Sequence, residues 1–210
     1  MLDWHQYIEI LTAIVVIVDP FGAIPIFISI TSDESPRQRA QTARIASIAL
    51  AVVLVAAALA GEPVLKILGI RLASFQVGGG ILILLLAISM LNAKVSPAKQ
   101  TPEEEIEAVA KENVAVVPLA VPLLAGPAAI STVIVFAHRG EGWSGKGFVI
   151  LSVTFVALLT WILLRLSIPL SHKLGRTGVN TLTRAMGMIL SAIAIEFIAT
   201  GLLALFPGLG

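Results

Sequence analysis

Two acidic residues stand in the middle of long apolar segments, where an ionised side chain is costly. Asp19 lies in the sequence VIVDPFG, and Glu196 lies in AIAIEFIA. A charge at the centre of a bilayer costs about 2.5–3.5 kcal/mol, and no Lys or Arg lies at a comparable position along either segment. Each carboxyl group is therefore expected to be protonated or to face a water-filled cavity. Both arrangements suit a group that exchanges protons.

Each acid also has a simpler interpretation. An Asp that precedes a proline can cap the half-helix that follows it by accepting hydrogen bonds from the first N–H groups of that half-helix. This role for Asp19 is compatible with proton exchange. For Glu196 the alternative is a protonated side chain that hydrogen-bonds to a neighbouring helix.

Asp19 belongs to the first of two apolar segments that helix-breaking residues interrupt. The first interruption contains Asp19, Pro20, Gly22 and Pro25, and the second contains Pro118, Pro122, Gly126 and Pro127, followed by Ser131 and Thr132. Proline removes a backbone N–H and clashes with the carbonyl four residues earlier. In hydrocarbon, broken helices persist only where they are buried in protein or line a wet cavity. We therefore expect regular helical bonding to be lost around residues 19–25 and 126–131, with the two interruptions facing each other in the core.

The two interruptions are equivalent positions of an internal repeat. A displacement of 107 residues places Pro20 on Pro127, Gly80 on Gly187, Ala87 on Ala194 and Ile88 on Ile195, and a displacement of 106 places Pro63 on Pro169, Leu68 on Leu174 and Gly69 on Gly175. Each half holds three apolar segments. Because three is odd, the second half must enter the membrane from the opposite side, an arrangement typical of secondary transporters. Duplication of a stable helical hairpin without a transport role is the alternative.

Matched interruptions in two inverted halves indicate a binding site near the middle of the membrane. Helix N-termini there would offer N–H groups to a carboxylate and unwound carbonyls would suit an ammonium, so a small zwitterion would use both. The candidate binding residues are Asp19, Pro20, Gly22, Pro25, Gly126, Pro127, Ser131 and Thr132, together with Gly79 and Gly80. The run Gly78 to Gly80 favours close helix approach or a break that lines the cavity. Alternatively, these Pro and Gly residues only kink the helices for packing.

Six apolar segments are long enough to cross a bilayer, and they position these residues. The segments lie near 8–30, 45–68, 74–92, 115–137, 148–170 and 185–206. Charged residues make up 13% of the chain, against about 25% in a soluble domain. The sequence therefore predicts an all-α membrane protein of six transmembrane helices, in a single membrane domain over residues 1–210. We expect two inverted three-helix repeats, 1–92 and 115–210, joined by an acidic linker over 93–114.

The distribution of Lys and Arg predicts the orientation of the helices. Nine of these residues lie in the predicted loops 31–44, 93–114 and 171–184, whereas the opposite side carries four, Lys66, Arg71, Arg139 and Lys146. The three richer loops are therefore predicted to be cytoplasmic, and both termini to lie outside the cytoplasm. Arg165 falls near the cytoplasmic end of the fifth segment, where its side chain can extend to the interface.

Several classes of function are disfavoured by what the chain lacks. Without cysteine it has no thiol chemistry or Cys-ligated metal, and His5, His138 and His172 are far apart in sequence. No ATP-binding motif is present and the net charge of +1 gives no indication of nucleic-acid binding, so we expect no cofactor and no nucleic-acid partner. An intramembrane Ser–His hydrolase needs a histidine at mid-membrane depth, and Asp19 does not lie in a GxGD motif. We therefore expect a protein that is not an enzyme.

The segments DPFGAIPIF, from Asp19 to Phe27, and VPLLAGPAAI, from Val121 to Ile130, resemble signature segments of the MarC family. These UPF0056 proteins are bacterial and archaeal inner-membrane proteins, and those of the SnatA type are described as small neutral amino acid transporters. The resemblance covers essentially the whole chain. It implies two inverted three-helix repeats and transport of solutes such as glycine and alanine. The two mid-segment acids, Asp19 and Glu196, separately suggest that such transport is coupled to protons. Glu196 departs from the uncharged residue usual in helix six of the family.

Other functions remain open at this point. The chain could export or conduct another small solute, or act as a membrane scaffold without transport. A channel needs a permanent pore with polar rings, and the polar residues at mid-membrane positions are few. The sequence leaves open the direction of transport, the coupling ion and the oligomeric state.

Overall fold

The computed structural model describes residues 4–31, 34–92, 124–139 and 142–209. Within these ranges the regular structure is helical throughout. The helices are α1 (Trp4–Val18), α2 (Ala23–Ile30), α3 (Pro36–Ile67), α4 (Leu72–Leu91), α5 (Pro127–Arg139), α6 (Gly142–Arg165) and α7 (Ser167–Leu205), followed by a 3₁₀ turn over Pro207–Leu209. The predicted linker 93–114 and the first part of the predicted fourth segment, including Pro118 and Pro122, lie outside the described residues.

Five stretches of the described chain are long and apolar enough to cross a membrane. They are Trp4–Ile28, Pro36–Ile67, Leu72–Leu91, Gly145–Arg165 and Asn180–Leu205. The apolar helix Pro127–His138 is shorter and covers the described part of the predicted fourth segment. The prediction of an all-helical membrane protein is therefore confirmed.

Helix α3 begins nine residues earlier than the apolar pattern predicts, because a capping box fixes its start. The Ser35 hydroxyl accepts a hydrogen bond from the Gln38 N–H, and the Gln38 side chain accepts one from the Ser35 N–H at 3.0 Å. Pro36 then occupies the first helical position, where its missing N–H costs nothing. The 32 residues of α3 span about 48 Å, more than the ~30 Å hydrocarbon core. Most of the predicted loop 31–44 is therefore helical.

The predicted loop 171–184 is also largely helical, because α7 begins at Ser167 and α6 already ends at Arg165. The chain changes direction within α7 at Gly175, where φ is 61° and ψ is 176°. Gly69, between α3 and α4, has a φ of 68°. These are the two positive-φ glycines of the described residues, and a side chain at either position would be strained. Gly69 and Gly175 are also equivalent positions of the internal repeat, since a displacement of 106 residues along the sequence places one on the other.

Helices α4 and α7 run antiparallel and meet through glycines on both sides. The position that a Cβ atom on Gly80 would take lies 3.0 Å from the Ala194 carbonyl oxygen and 3.1 Å from the Ile198 nitrogen. On the other side, a Cβ atom on Gly187 would lie 3.1 Å from the Ala87 carbonyl oxygen and 3.2 Å from the Leu91 nitrogen. Each glycine thus packs against the backbone of the partner helix, and the two contacts involve residues 107 apart.

Helices α3 and α6 pack together and carry charges at both ends of an uncharged stretch. On α3 this stretch covers residues 45–61, and on α6 it covers 147–164. At one end Glu62 contacts Lys66 at 2.7 Å, His138 at 3.3 Å and Lys146 at 3.5 Å. These contacts connect α3 with α5 and α6, and they place a carboxylate among the basic groups at that end.

Candidate functional site

The first interruption is a sharp reversal of backbone conformation at Asp19. Helix α1 closes with a hydrogen bond from the Asp19 N–H to the Val15 carbonyl at 3.1 Å. Asp19 then adopts a φ of 48°, the one positive value among the described residues other than glycine. Asp and Asn tolerate this left-handed conformation better than other side chains. The aspartate therefore ends one half-helix and redirects the chain into the next.

The Asp19 carboxylate caps the half-helix that follows. Its Oδ1 accepts a hydrogen bond from the Gly22 N–H at 3.1 Å, and the Ala23 N–H donates to the Asp19 carbonyl at 3.2 Å. A Cβ atom on Gly22 would lie 2.8 Å from the carboxyl carbon of Asp19, so the tight turn requires glycine. The capping role considered for Asp19 is present, and Asp19 is 4% exposed.

The first interruption is shorter than predicted. Regular helix resumes at Ala23, so Pro25 lies inside α2, where its side chain is exposed, whereas Pro20 is buried. Proline is tolerated in the first turn of a helix because the N–H groups there have no intrahelical partner. The loss of helical bonding is confined to four residues, 19–22.

The second interruption lies earlier than predicted. The expectation that helical bonding is lost from Gly126 to Ser131 is wrong, because α5 begins at Pro127 and the Ile130 N–H already donates to the Gly126 carbonyl at 3.1 Å. Pro127 at the first helical position starts the helix rather than breaking it. The described part of the interruption covers 124–126, and these residues are buried. Helix α1 packs against α5.

Ser131 and Thr132 are both buried in α5, but only one of them has a satisfied hydroxyl. The Thr132 hydroxyl donates to the Ala128 carbonyl at 2.8 Å. The Ser131 hydroxyl has no hydrogen-bond partner among the described residues, and Ser131 is 2% exposed. It occupies the space in which a side chain on Gly79 of α4 would stand. Ser131 and Gly79 therefore meet at the α4–α5 contact.

Gln76 is a polar residue of this contact that the sequence analysis missed. Gln76 is 6% exposed, and within the part of the chain that the structure describes its Nε2 has no hydrogen-bond partner. It lies three residues before Gly79, and therefore on the same face of α4. An amide within an otherwise apolar membrane helix was the signal that could have identified it. An unsatisfied buried amide is costly, so Gln76 and Ser131 are groups that a polar solute or a water molecule would stabilise.

The remaining predicted residues lie apart from this contact. Gly80 faces α7, where it allows the close approach of the two helices. The side chains of Pro127 and Glu196 are exposed. The structure thus brings Asp19 together with Gly22, and Gly79 together with Ser131. Within the described residues, no cluster of three or more His, Asp or Glu side chains is placed to hold a metal ion.

The chain is similar to known membrane proteins along nearly its whole length. Residues 4–206 match the model of the MarC family of integral membrane proteins. The chain is 38% identical over 207 residues to the UPF0056 membrane protein YhcE of Escherichia coli, covering 99% of this chain and 96% of that protein. It is 35% identical to the UPF0056 membrane protein MJ1677 of Methanocaldococcus jannaschii, covering 96% of this chain and 98% of that protein. No solved structure matches the chain.

Proposed function

The chain belongs to the MarC family of integral membrane proteins, and we propose that it is a secondary transporter of small neutral amino acids in the inner membrane. The observation that carries the proposal is the interruption of the first membrane-spanning stretch at a buried aspartate. The carboxylate caps α2, but a cap alone does not require an acid, because Asn or Ser can cap a helix without the cost of burying a charge. A transport site uses such a group to recognise an ammonium or a proton.

The proposed substrate follows from the polar groups that the core provides. The Asp19 carboxylate would accept hydrogen bonds from a substrate ammonium. The Ser131 hydroxyl and the Gln76 amide, which lack partners, can donate to a carboxylate. The core around them is built largely of apolar side chains, so a solute with a small, uncharged side chain such as glycine or alanine fits this chemistry best.

The proposed coupling ion is the proton, and Asp19 is the group that would carry it. An ionised carboxylate holds a substrate ammonium, whereas a protonated one releases it. Proton binding and substrate affinity are then linked, and the linkage is reciprocal. Glu196 is the secondary candidate, although its exposed position separates it from the interruption.

We further propose that six helices form two inverted repeats with both termini outside the cytoplasm. The reciprocal contacts of Gly80 and Gly187 support this arrangement, because an antiparallel pair of helices with equivalent contacts is what a two-fold axis in the membrane plane produces. The matched conformations of Gly69 and Gly175 support it as well. The proposed orientation rests on the distribution of basic residues, with nine in the loops proposed to be cytoplasmic and four on the opposite side.

Transport is tested by uptake of labelled glycine and alanine into proteoliposomes, with and without an imposed pH gradient. Saturable accumulation that depends on the gradient, with recovery of the chemically unchanged amino acid, is expected. Flux that rises linearly with concentration would instead indicate a channel. Absence of flux for both solutes under proton and sodium gradients would overturn the proposal and favour a scaffold.

The orientation is tested by cysteine labelling, because the natural chain has no cysteine. Lys173 and Arg71 are exposed and lie on opposite sides in the proposed topology. In intact cells, an impermeant maleimide should label Arg71→Cys and leave Lys173→Cys unlabelled until the membrane is opened. Labelling of both variants in intact cells would exclude this topology.

A further inference from the structure

A basic groove lies between the start of α3 and the end of α6, outside the site described above. It has a volume of about 800 Å³, and its lining includes Arg37, Arg44 and Arg165 together with Gln41, Ile48 and Trp161. The Arg165 guanidinium lies over the Trp161 ring, 5.4 Å from its centroid, which is within the range of a cation–π contact. The groove thus combines three cations with an aromatic wall.

None of these three arginines is neutralised within the part of the chain that the structure describes. No acidic residue is among the described residues that line the groove, and none of the three guanidinium groups forms an ion pair with a described residue. The opposite end of the same two helices differs, since Glu62 contacts three basic groups there. Among the described residues, no carboxylate therefore balances the positive charge of the groove.

The groove lies where the membrane surface must cross α3 and α6. Arg44 and Arg165 directly border the uncharged stretches of the two helices, and 17 residues of α3 span about 25 Å, close to the thickness of a hydrocarbon core. One and two turns deeper, Ile48 and Val52 are 52% and 61% exposed, and Leu158 of α6 is 53% exposed. The groove therefore continues from a cationic mouth into an apolar surface.

We propose that this groove binds an anionic phospholipid, with its phosphodiester headgroup between the three arginines and an acyl chain along the apolar surface below. Guanidinium groups bind phosphate oxygens through paired hydrogen bonds, and basic pockets between membrane helices are known to recognise anionic headgroups. A soluble phosphate would use only the cationic mouth. The continuous apolar surface is what favours a lipid.

Trp161 provides a local probe of this site. The chain has three tryptophans, so Trp4→Phe and Trp143→Phe leave Trp161 as the sole indole. The double variant is reconstituted in phosphatidylcholine vesicles that contain increasing fractions of phosphatidylglycerol with brominated acyl chains, which quench indole fluorescence. Quenching should saturate at a low fraction of phosphatidylglycerol, at least about tenfold below the fraction of brominated phosphatidylcholine that gives equal quenching.

The arginines are tested in this background by Arg37→Gln, Arg44→Gln and Arg165→Gln. Each should weaken the preference for phosphatidylglycerol roughly fivefold, and the triple variant should abolish it. Arg71→Gln, Lys173→Gln and Arg184→Gln together remove the same charge from exposed positions outside the groove, and this control should keep the preference. Single variants replace the triple variant if it is not monodisperse after purification.

Four outcomes would overturn the proposal. They are equal quenching by both brominated lipids in the parent, a preference retained by every arginine variant, an equal loss of preference in the control, and displacement of the lipid by millimolar glycerol phosphate. The last outcome would assign the groove to a soluble phosphate compound.

Discussion

The two helix interruptions occupy equivalent places in the sequence repeat, yet they differ in chemistry. At the first, Asp19 adopts a left-handed conformation and its carboxylate caps α2. At the second, the equivalent position is Gly126, and α5 starts directly behind it at Pro127. Of the two interruptions, only the first contains an ionisable side chain. A charge-dependent step at the interruptions would therefore belong to the first half of the chain.

Removal of the charge at the first interruption should have the largest effect. Asparagine tolerates the left-handed conformation of residue 19, and its side-chain oxygen can still accept the Gly22 N–H. Asp19→Asn should therefore leave folding intact and abolish accumulation driven by a pH gradient. Uptake by the variant in proteoliposomes, compared with the parent at equal protein content, measures this effect. Accumulation at the parental rate would show that Asp19 only caps α2 and that the two interruptions are functionally alike.

Distortion of the same turn should have the next largest effect. A methyl group on Gly22 would collide with the Asp19 carboxyl group, whereas a methyl group on Gly78 would meet no atom within 4 Å. Gly22→Ala should lower the free energy of unfolding by about 1–3 kcal/mol, an amount typical of overpacking. It should also reduce transport. Gly78→Ala is the matched control and should be neutral or slightly stabilising, since alanine favours helix. Equal melting temperatures of the two variants in detergent would contradict the tight turn.

Substitution of Ser131, the polar residue beside the second interruption, should have a smaller effect, and it should raise stability rather than lower it. Ser131→Ala removes a buried hydroxyl that has no partner, so stability should rise by about 1 kcal/mol while the KM for uptake increases. Thr132→Val is the control, because the Thr132 hydroxyl is already bonded to its own helix and should not affect uptake. An unchanged KM in Ser131→Ala would remove this residue from the solute path.

The smallest effect is expected at Glu196. Its side chain is exposed on α7, whereas Asp19 is buried, so Glu196→Gln should change uptake by less than about twofold while Asp19→Asn abolishes coupling. Initial rates of uptake at several pH gradients compare the two variants. A loss at Glu196→Gln as large as that at Asp19→Asn would move the coupling group to the second half of the chain.

Apolar length and helix-breaking residues predicted the helical membrane fold and the first interruption at Asp19, because both depend on local chemistry. The second interruption was predicted too far along the chain, because Pro127 starts a helix rather than breaking one. Helix ends were predicted less well. The capping box at Ser35 extends α3 through polar residues that carry no apolar signal, and the kink at Gly175 joins two helical stretches directly where a loop was predicted. The unsatisfied state of Gln76 and Ser131 depends on which helix faces which, and no local pattern reports that.

The contact between α4 and α7 has a consequence for the origin of the fold. Gly80 meets the backbone at Ala194 and Ile198, and Gly187 meets it at Ala87 and Leu91, so the same surface of each half binds itself. Such a self-complementary surface is the isologous interface of a two-fold homodimer. A three-helix ancestor could have formed this contact between two copies inserted in opposite orientations, provided that its basic residues did not fix one orientation. Fusion of the two copies would then have allowed equivalent positions to diverge, as residues 19 and 126 now differ.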